Sequence, residues 1–379
     1  MTGPSAGPAA TGATTGPITT GPITTGLVKC VAWDIDNTLI AGTFIESGDR
    51  QPPADPAMTA VLAELAARGI VAAIASRNPP AAARYAEQVT GATFVAAECG
   101  WDRKSAAVSR IAAGLGIGTD AVAFVDDDPY ERAEVSFTLP EVLTLSPEDM
   151  TDALGWPAFS PAVVTAEASR RSGLYLDRRR RQQAEREFGG SHEEFLRYCR
   201  TEITIAGAEP ADADRLAELS VRTHQFNSAA RGTTAAALRS MIAAPDTETV
   251  VLAVRLRDRF GDDGIVGGCV AEPGPDGTWT VRLLVMSCRA MGRGVIDALL
   301  AWLGGAAASA GARVLAIPAV LNTRNVPLRL ALAAAGFRAD GTAPQDTGTD
   351  DSGAGGSGAG GSGASQRALY RKALDGPPA

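Results

Sequence analysis

Asp34 and Asp36 stand one residue apart at the end of a strand-forming run, in "CVAWDIDNTLIAG", with Thr38 two places further on. Val31–Trp33 reads as a buried parallel strand, which puts both aspartates at its carboxyl end, where open α/β sheets bind ligands. Three further places bring matching chemistry: Ser76 ends "IVAAIAS", Lys104 lies in "GWDRKS", and Asp126, Asp127 and Asp128 end "AVAFVDDD". A carboxylate that attacks phosphorus must stay ionised beside a highly charged anion. That requires a divalent cation on further carboxylates and a fixed lysine, and all of those groups are present. The competing reading of the first motif is a strand-to-turn junction whose Asp and Asn bond their own backbone. Asp128, directly before Pro129, reads as a helix cap or Asx turn.

A second set of residues follows a strand through Met286. Arg289–Gly294, "RAMGRG", leads into a long helix, and Gly292 and Gly294 at such a turn let backbone N–H groups approach a phosphate. Cys288 sits beside Arg289 and near that helix start, a setting expected to lower a thiol pKa and make a nucleophile. Its other reading is a small apolar residue packed at a strand end. Asn325 reads equally as a helix cap or a binding residue. Of the two histidines, His192 is expected near a helix start capped by Ser191. Arg178–Arg181 is a solvated helix face or, on an acidic protein, a dock for an acidic partner.

Strand–helix alternation over 27–150 must position the first set. Asp55 as N-cap, Pro56 at the first helical position and Gly69 past the end punctuate the first helix. This alternation predicts a parallel sheet with right-handed crossovers. A helical connector over 151–200 and a mixed α+β unit over 201–379 follow. A Gly/Ser-rich insertion at about 343–366 splits a final hairpin whose last strand is "RALYRKAL". Residues 1–26, with their repeated "TGPIT", read as a disordered tail and not a secretory signal. The 379 residues, 45% hydrophobic, suffice for two cores, and no run is long enough to span a membrane. A net charge of −8 excludes a broad nucleic-acid-binding face. Five widely spaced cysteines without a CxxC pair fit a reduced, cytoplasmic setting.

In order, Asp34-Ile35-Asp36-Asn37-Thr38, Ser76, Lys104 and Asp126-Asp127 resemble the four motifs of the haloacid dehalogenase (HAD) superfamily. That resemblance implies Asp34 as nucleophile and Asp36 as general acid and base. It also implies Ser76 and Lys104 on the phosphoryl oxygens, with Mg2+ held by Asp34, Asp126, Asp127 and the backbone carbonyl of Asp36. Thr38 belongs to the same substrate-binding motif. Arg289, Gly292 and Gly294 are similar to the RxxGxG loop of GNAT acyltransferases, and "NTRNVPLRLALAAAGF", with Asn325, resembles that family's closing helix and strand. The fold class expected is thus a HAD-like Rossmannoid parallel sheet followed by a GNAT-like α+β domain.

Both units in this order, with "ERAEVSFTLPEV", "SHEEFLRYC", "VRTHQFN" and "MSCRAMGRGV", resemble the FkbH-like family over most of 28–337. The resemblance implies dephosphorylation of 1,3-bisphosphoglycerate or a similar acyl phosphate. Glyceryl transfer to an acyl carrier protein in polyketide biosynthesis is then expected, with Cys288 as acyl acceptor and His224 in acid/base work. The sequence departs from the common pattern at "DNTLIAGTFIESGD", where it is more similar to a branch with an acidic segment. A stand-alone magnesium-dependent phosphatase and a non-catalytic carrier-protein scaffold are the alternatives. Intact Asp34 and Asp36 count against the scaffold.

Overall fold

The computed structural model describes residues 27–47, 51–161, 164–229, 232–244, 248–274, 276–322, 324–342 and 367–374. The expected N-terminal tail and Gly/Ser-rich insertion lie outside them. The first unit contains β1 (Cys30–Trp33), α1 (Pro56–Ala67), β2 (Val71–Ser76), α2 (Pro80–Thr90), β3 (Phe94–Cys99) and α3 (Lys104–Leu115). It continues through β4 (Val122–Val125), α4 (Pro129–Thr138), β5 (Leu143–Leu145) and α5 (Pro147–Ala153). Its five strands are all parallel, in the order β3-β2-β1-β4-β5. The chain reverses its direction of winding between β1 and β4, so a crevice opens beyond the carboxyl ends of these two strands.

Alternation along β1 divides the core. Val31 and Trp33 face Met58, Leu62 and Leu65 of α1, whereas Cys30 and Ala32 face Val108 and Ile111 of α3. The expected punctuation of α1 is present: Asp55 Oδ1 accepts from Met58 N–H at 2.9 Å, Pro56 begins the helix, and Gly69 has φ of +68°. Helix α4 was anticipated only through the reading of Asp128 as a helix cap, and α5 was not anticipated. Each carries its signal, Asp128 capping Tyr130 N–H before Pro129, and a Ser146–Asp149 capping box.

The connector forms α6 (Ala166–Glu187) and α7 (His192–Cys199), the latter with Ser191 as its N-cap. The second unit runs β6 (Glu202–Gly207), α8 (Ala213–Arg222), α9 (Ala235–Ala243), β7 (Val250–Asp258), β8 (Gly261–Pro273) and β9 (Thr278–Met286). Then come α10 (Val295–Ser309), β10 (Val314–Val320), α11 (Val326–Ala334), β11 (Arg338–Thr342) and β12 (Arg367–Ala373). Its seven strands are ordered β11-β12-β10-β9-β8-β7-β6. One face packs on α10 and α11 and the other on α8 and α9. Both expected halves of the fold class are present, and β12 pairs with β10 and β11 as the split hairpin requires.

Among the described residues, the only parallel pair in this second sheet is β9 with β10, joined from Val314–Thr278 to Ala316–Thr280. Beyond that the two strands part, and the chain's own Phe226–Ser228 enters the gap. Phe226 C=O accepts from Met286 N–H at 2.9 Å, Ser228 N–H donates to Leu284 C=O at 3.0 Å, and Val320 N–H donates to Ser228 C=O at 3.2 Å.

Candidate active site

At the carboxyl ends of β1 and β4, Asp34 and Asp126 are buried, at 6% and 1% exposure, and share one cation. Lys104 Nζ donates to Asp34 Oδ1 at 2.5 Å, to Asp126 Oδ2 at 2.9 Å and to Ala75 C=O at 3.0 Å. Starting α3 beside the end of β2 puts the lysine there. Burial opposes its charge, but the two carboxylates win and hold its pKa above the ordinary value. Burial also pushes Asp126 up to about 7, against the pull of Lys104 and with the help of Asp34. Asp127, at the exposed lip, is raised chiefly by burial and by Asp34.

Ligand oxygens of Asp34, Asp126 and Asp127 lie within 4.8 Å of one another. Three hard carboxylates, one of them costly to ionise alone, suit a magnesium ion. Asp36 is not part of this side-chain cluster, because its Oδ1 accepts from Phe44 N–H at 2.9 Å. Any contribution of Asp36 to a cation would therefore come through its backbone carbonyl. Thr38 Oγ1 accepts from Asp127 N–H at 3.2 Å and thereby ties the first acidic loop to the second. Asn37 supports that turn with φ of +50°, a conformation Asn tolerates. Ser76 is buried, and its Oγ accepts from Asn78 Nδ2 at 3.1 Å.

Two contributors escaped sequence reasoning. Asn78 is buried with Oδ1 unpartnered, and Arg132 donates to the carbonyls of Asp126 and Asp127 at 2.6 and 2.8 Å. A polar residue just past a strand end was the signal for the first. The second required knowledge of α4.

The other chemical residues gather at a cavity of about 340 Å3 between the two units. Lys29 and Asp120 reach it from the first unit, Arg171 and Tyr175 from α6, and His224, Cys288 and Arg289 from the second. Cys288 begins a single helical turn before the Gly292–Gly294 loop. Arg289 lines the cavity and is 5% exposed. His224 stands exposed at the mouth but is crowded by protein. Burial first, then Lys29 and Arg324, push its pKa down to about 4, so it is neutral at pH 7.

Gly292 and Gly294 have φ of +71° and +73°, with nothing within 4 Å of an added Cβ. The left-handed backbone requires glycine here, and the space beside it is open. His192 braces the loop, its Nε2 2.7 Å from Gly292 C=O and its Nδ1 2.6 Å from Glu185. Arg293 is buried on Asp258 and Asp263. Asn325 occupies the N-cap position of α11 but makes no side-chain cap; its amide bonds Val320 C=O, and its Oδ1 accepts from Asn322 N–H at 3.4 Å. Its side chain is fully buried on backbone and staples the loop instead of capping the helix.

Arg178–Arg181 does not act as one patch. Arg181 is buried on Asp258 and Arg178 donates to Leu115 C=O at 2.8 Å, which leaves Arg179 and Arg180 exposed. Cys30, Cys199 and Cys269 are buried, and burial raises their pKa values, Cys269 to about 12.

No protein-family model matches the chain, and no curated protein matches it. Among solved structures, it is similar to the N-terminal part of BF1531 from Bacteroides fragilis, which contains a phosphatase domain complexed with Mg. There the identity is 27%, the TM-score 0.31, and the match covers 35% of this chain and 39% of the other. It is also similar to a GNAT-family acetyltransferase from Desulfovibrio desulfuricans, with 16% identity, TM-score 0.34, and coverage of 46% of this chain and 100% of the other. A third is the yncA acetyltransferase of Salmonella typhimurium with acetyl-CoA, with 18% identity, TM-score 0.33, and coverage of 47% and 96%.

Proposed function

We propose that the chain is a magnesium-dependent phosphatase joined to an acyltransferase unit. In the finer reading it takes 1,3-bisphosphoglycerate or a similar acyl phosphate, removes the ester phosphate at Asp34, and loads glyceryl as a thioester onto an acyl carrier protein. In that transfer a thiol attacks the acyl carbon and expels the acyl phosphate's inorganic phosphate. The observation that carries the first half is the Lys104 ammonium between Asp34 and Asp126, with Asp127 within reach.

Asp34 attacks phosphorus through a carboxylate oxygen while Lys104 holds Oδ1. The bond from phosphorus to the leaving oxygen breaks, and Asp36 gives that oxygen its proton. Water then attacks the aspartyl-phosphate and returns a proton to Asp36, freeing phosphate. Asp34, Asp126 and Asp127 would hold magnesium, which supplies charge neutralisation to the phosphoryl oxygens. Lys104 and Ser76 orient those oxygens.

A stand-alone phosphatase is the second reading, favoured by the way Phe226–Ser228 fills the gap between β9 and β10. Parting strands leave backbone edges that could bind a ligand's amide arm as an added strand, and here the chain binds itself. Measuring phosphate release and the intact mass of a carrier protein in one incubation separates the readings. Asp34→Asn should lower release by about a thousandfold or more with the fold retained, as should chelation. Release that survives both would remove Asp34 from the chemistry, and release with no gain of carrier mass would favour the phosphatase alone.

A further inference from the structure

The cavity around Cys288 is strongly cationic. Six cationic side chains line it against two carboxylates, Asp120 and Glu218. Asp120 is taken by Arg324 at 2.8 Å, and Glu218 by Arg171 and by Arg215 at 2.7 Å. Three cations are left without a close acid. Lys29 Nζ donates to Arg222 C=O at 2.6 Å, the Arg222 guanidinium stands 4.0 Å from Glu218, and the buried Arg289 has an Nη2 with no hydrogen-bond partner. Burial pushes Arg222 and Arg289 down to about 10 and Lys29 to about 8. Uncompensated buried charge destabilises a fold unless something of opposite sign completes it.

We propose that this cavity is a phosphate-ester site, with Arg289, Arg222 and Lys29 holding the phosphate so that the group it carries meets Cys288. A planar guanidinium with free donors is suited to a phosphate's oxygens, and a pair of negative charges meets the excess of cations. Two sources share this chemistry: the phosphate of a small free acyl donor and that of a phosphopantetheine arm. The role of Cys288 rests on the acyl-transfer reading, whereas phosphate binding does not.

The test is calorimetric titration of the full chain, in chelator without magnesium, with inorganic phosphate, 3-phosphoglycerate and 4′-phosphopantetheine in turn. At least one should bind, and Arg289→Met should weaken it by about tenfold or more. The unliganded Arg289→Met protein should melt at or above the wild-type temperature, because an unpaired buried charge is gone; an arginine that only supports the fold would give a lower one. Should Arg289→Met fail to fold, Lys29→Met, which removes another of the three cations, should weaken the same binding. Tighter 4′-phosphopantetheine assigns the site to a carrier arm, and tighter 3-phosphoglycerate to a free donor. No binding of any of the three, or unchanged binding in both variants, overturns the site. Asp34-dependent phosphate release, measured separately with magnesium, reports on the other site, so the two failures are distinguishable.

Discussion

Lys104 is one ammonium serving two buried carboxylates, so its removal is an electrostatic experiment. Lys104→Met leaves Asp34 and Asp126 facing each other without a cation, at the same strand ends. Breaking a buried pair in this way costs about 3–5 kcal/mol. The variant should therefore melt well below wild type in chelator and recover part of the difference in magnesium, because the ion meets the same charges. Thermal melts with and without magnesium check this. Equal recovery in wild type and variant would show that Lys104 and the ion act independently.

Among the elements, the strand ends were legible and the loops were not. Asp34, Ser76 and Asp126 could be read because apolar runs end at them and a parallel sheet gathers such ends at one edge. Asn325 was misread because a helix cap and a loop staple look alike in sequence, and only the burial of its amide on Val320 C=O separates them. Arg178–Arg181 was misread as a unit because consecutive helical residues point about 100° apart, which sends Arg181 into Asp258 while Arg179 and Arg180 face water.

The Gly292–Gly294 loop owes its brace to a different element. His192 at the start of α7 spans Glu185 of α6 and Gly292 C=O, and these bonds raise its pKa. Both ring nitrogens face acceptors, so the brace is strongest with the imidazolium. With the folded pKa above the unfolded one, the contribution is full below the unfolded value, near 6.5, and is lost as pH rises through the folded value. Amide exchange at Met291–Gly294, corrected for intrinsic rate, should accelerate across that rise in wild type. His192→Ala should exchange faster at low pH and show no such step.

In the whole molecule the two sites lie at opposite ends of β1, Lys29 in the cavity and Asp34 in the carboxylate cluster. Five residues of strand put them about 16 Å apart. That separation is longer than a single side chain, so anything passed between them must travel outside the sheet. The cavity itself could not be read from sequence, because its cations come from both units and from α6, and no two of them sit in one motif. Glu218 is the centre of that assembly: with 5% exposure it accepts from Arg215 at 2.7 Å, from Thr165 at 2.7 Å and from Arg171, which also donates to Gly69 C=O of the first unit at 2.5 Å. Burial works against its charge, but Arg215 and Arg171 overcome this and hold its pKa down at about 2, against about 4.5 when unfolded. A carboxylate depressed in this way contributes stability that is full above the unfolded pKa and is lost as pH falls toward the folded one. Glu218→Gln should therefore cost about 3 kcal/mol at pH 7, together with any strain from arginines left unpaired. The gap between variant and wild type should narrow below about pH 4.5. Denaturant unfolding of both proteins from pH 7 to pH 3 measures it, and a gap that stays constant over that range would mean that Glu218 holds the units together by shape rather than by charge.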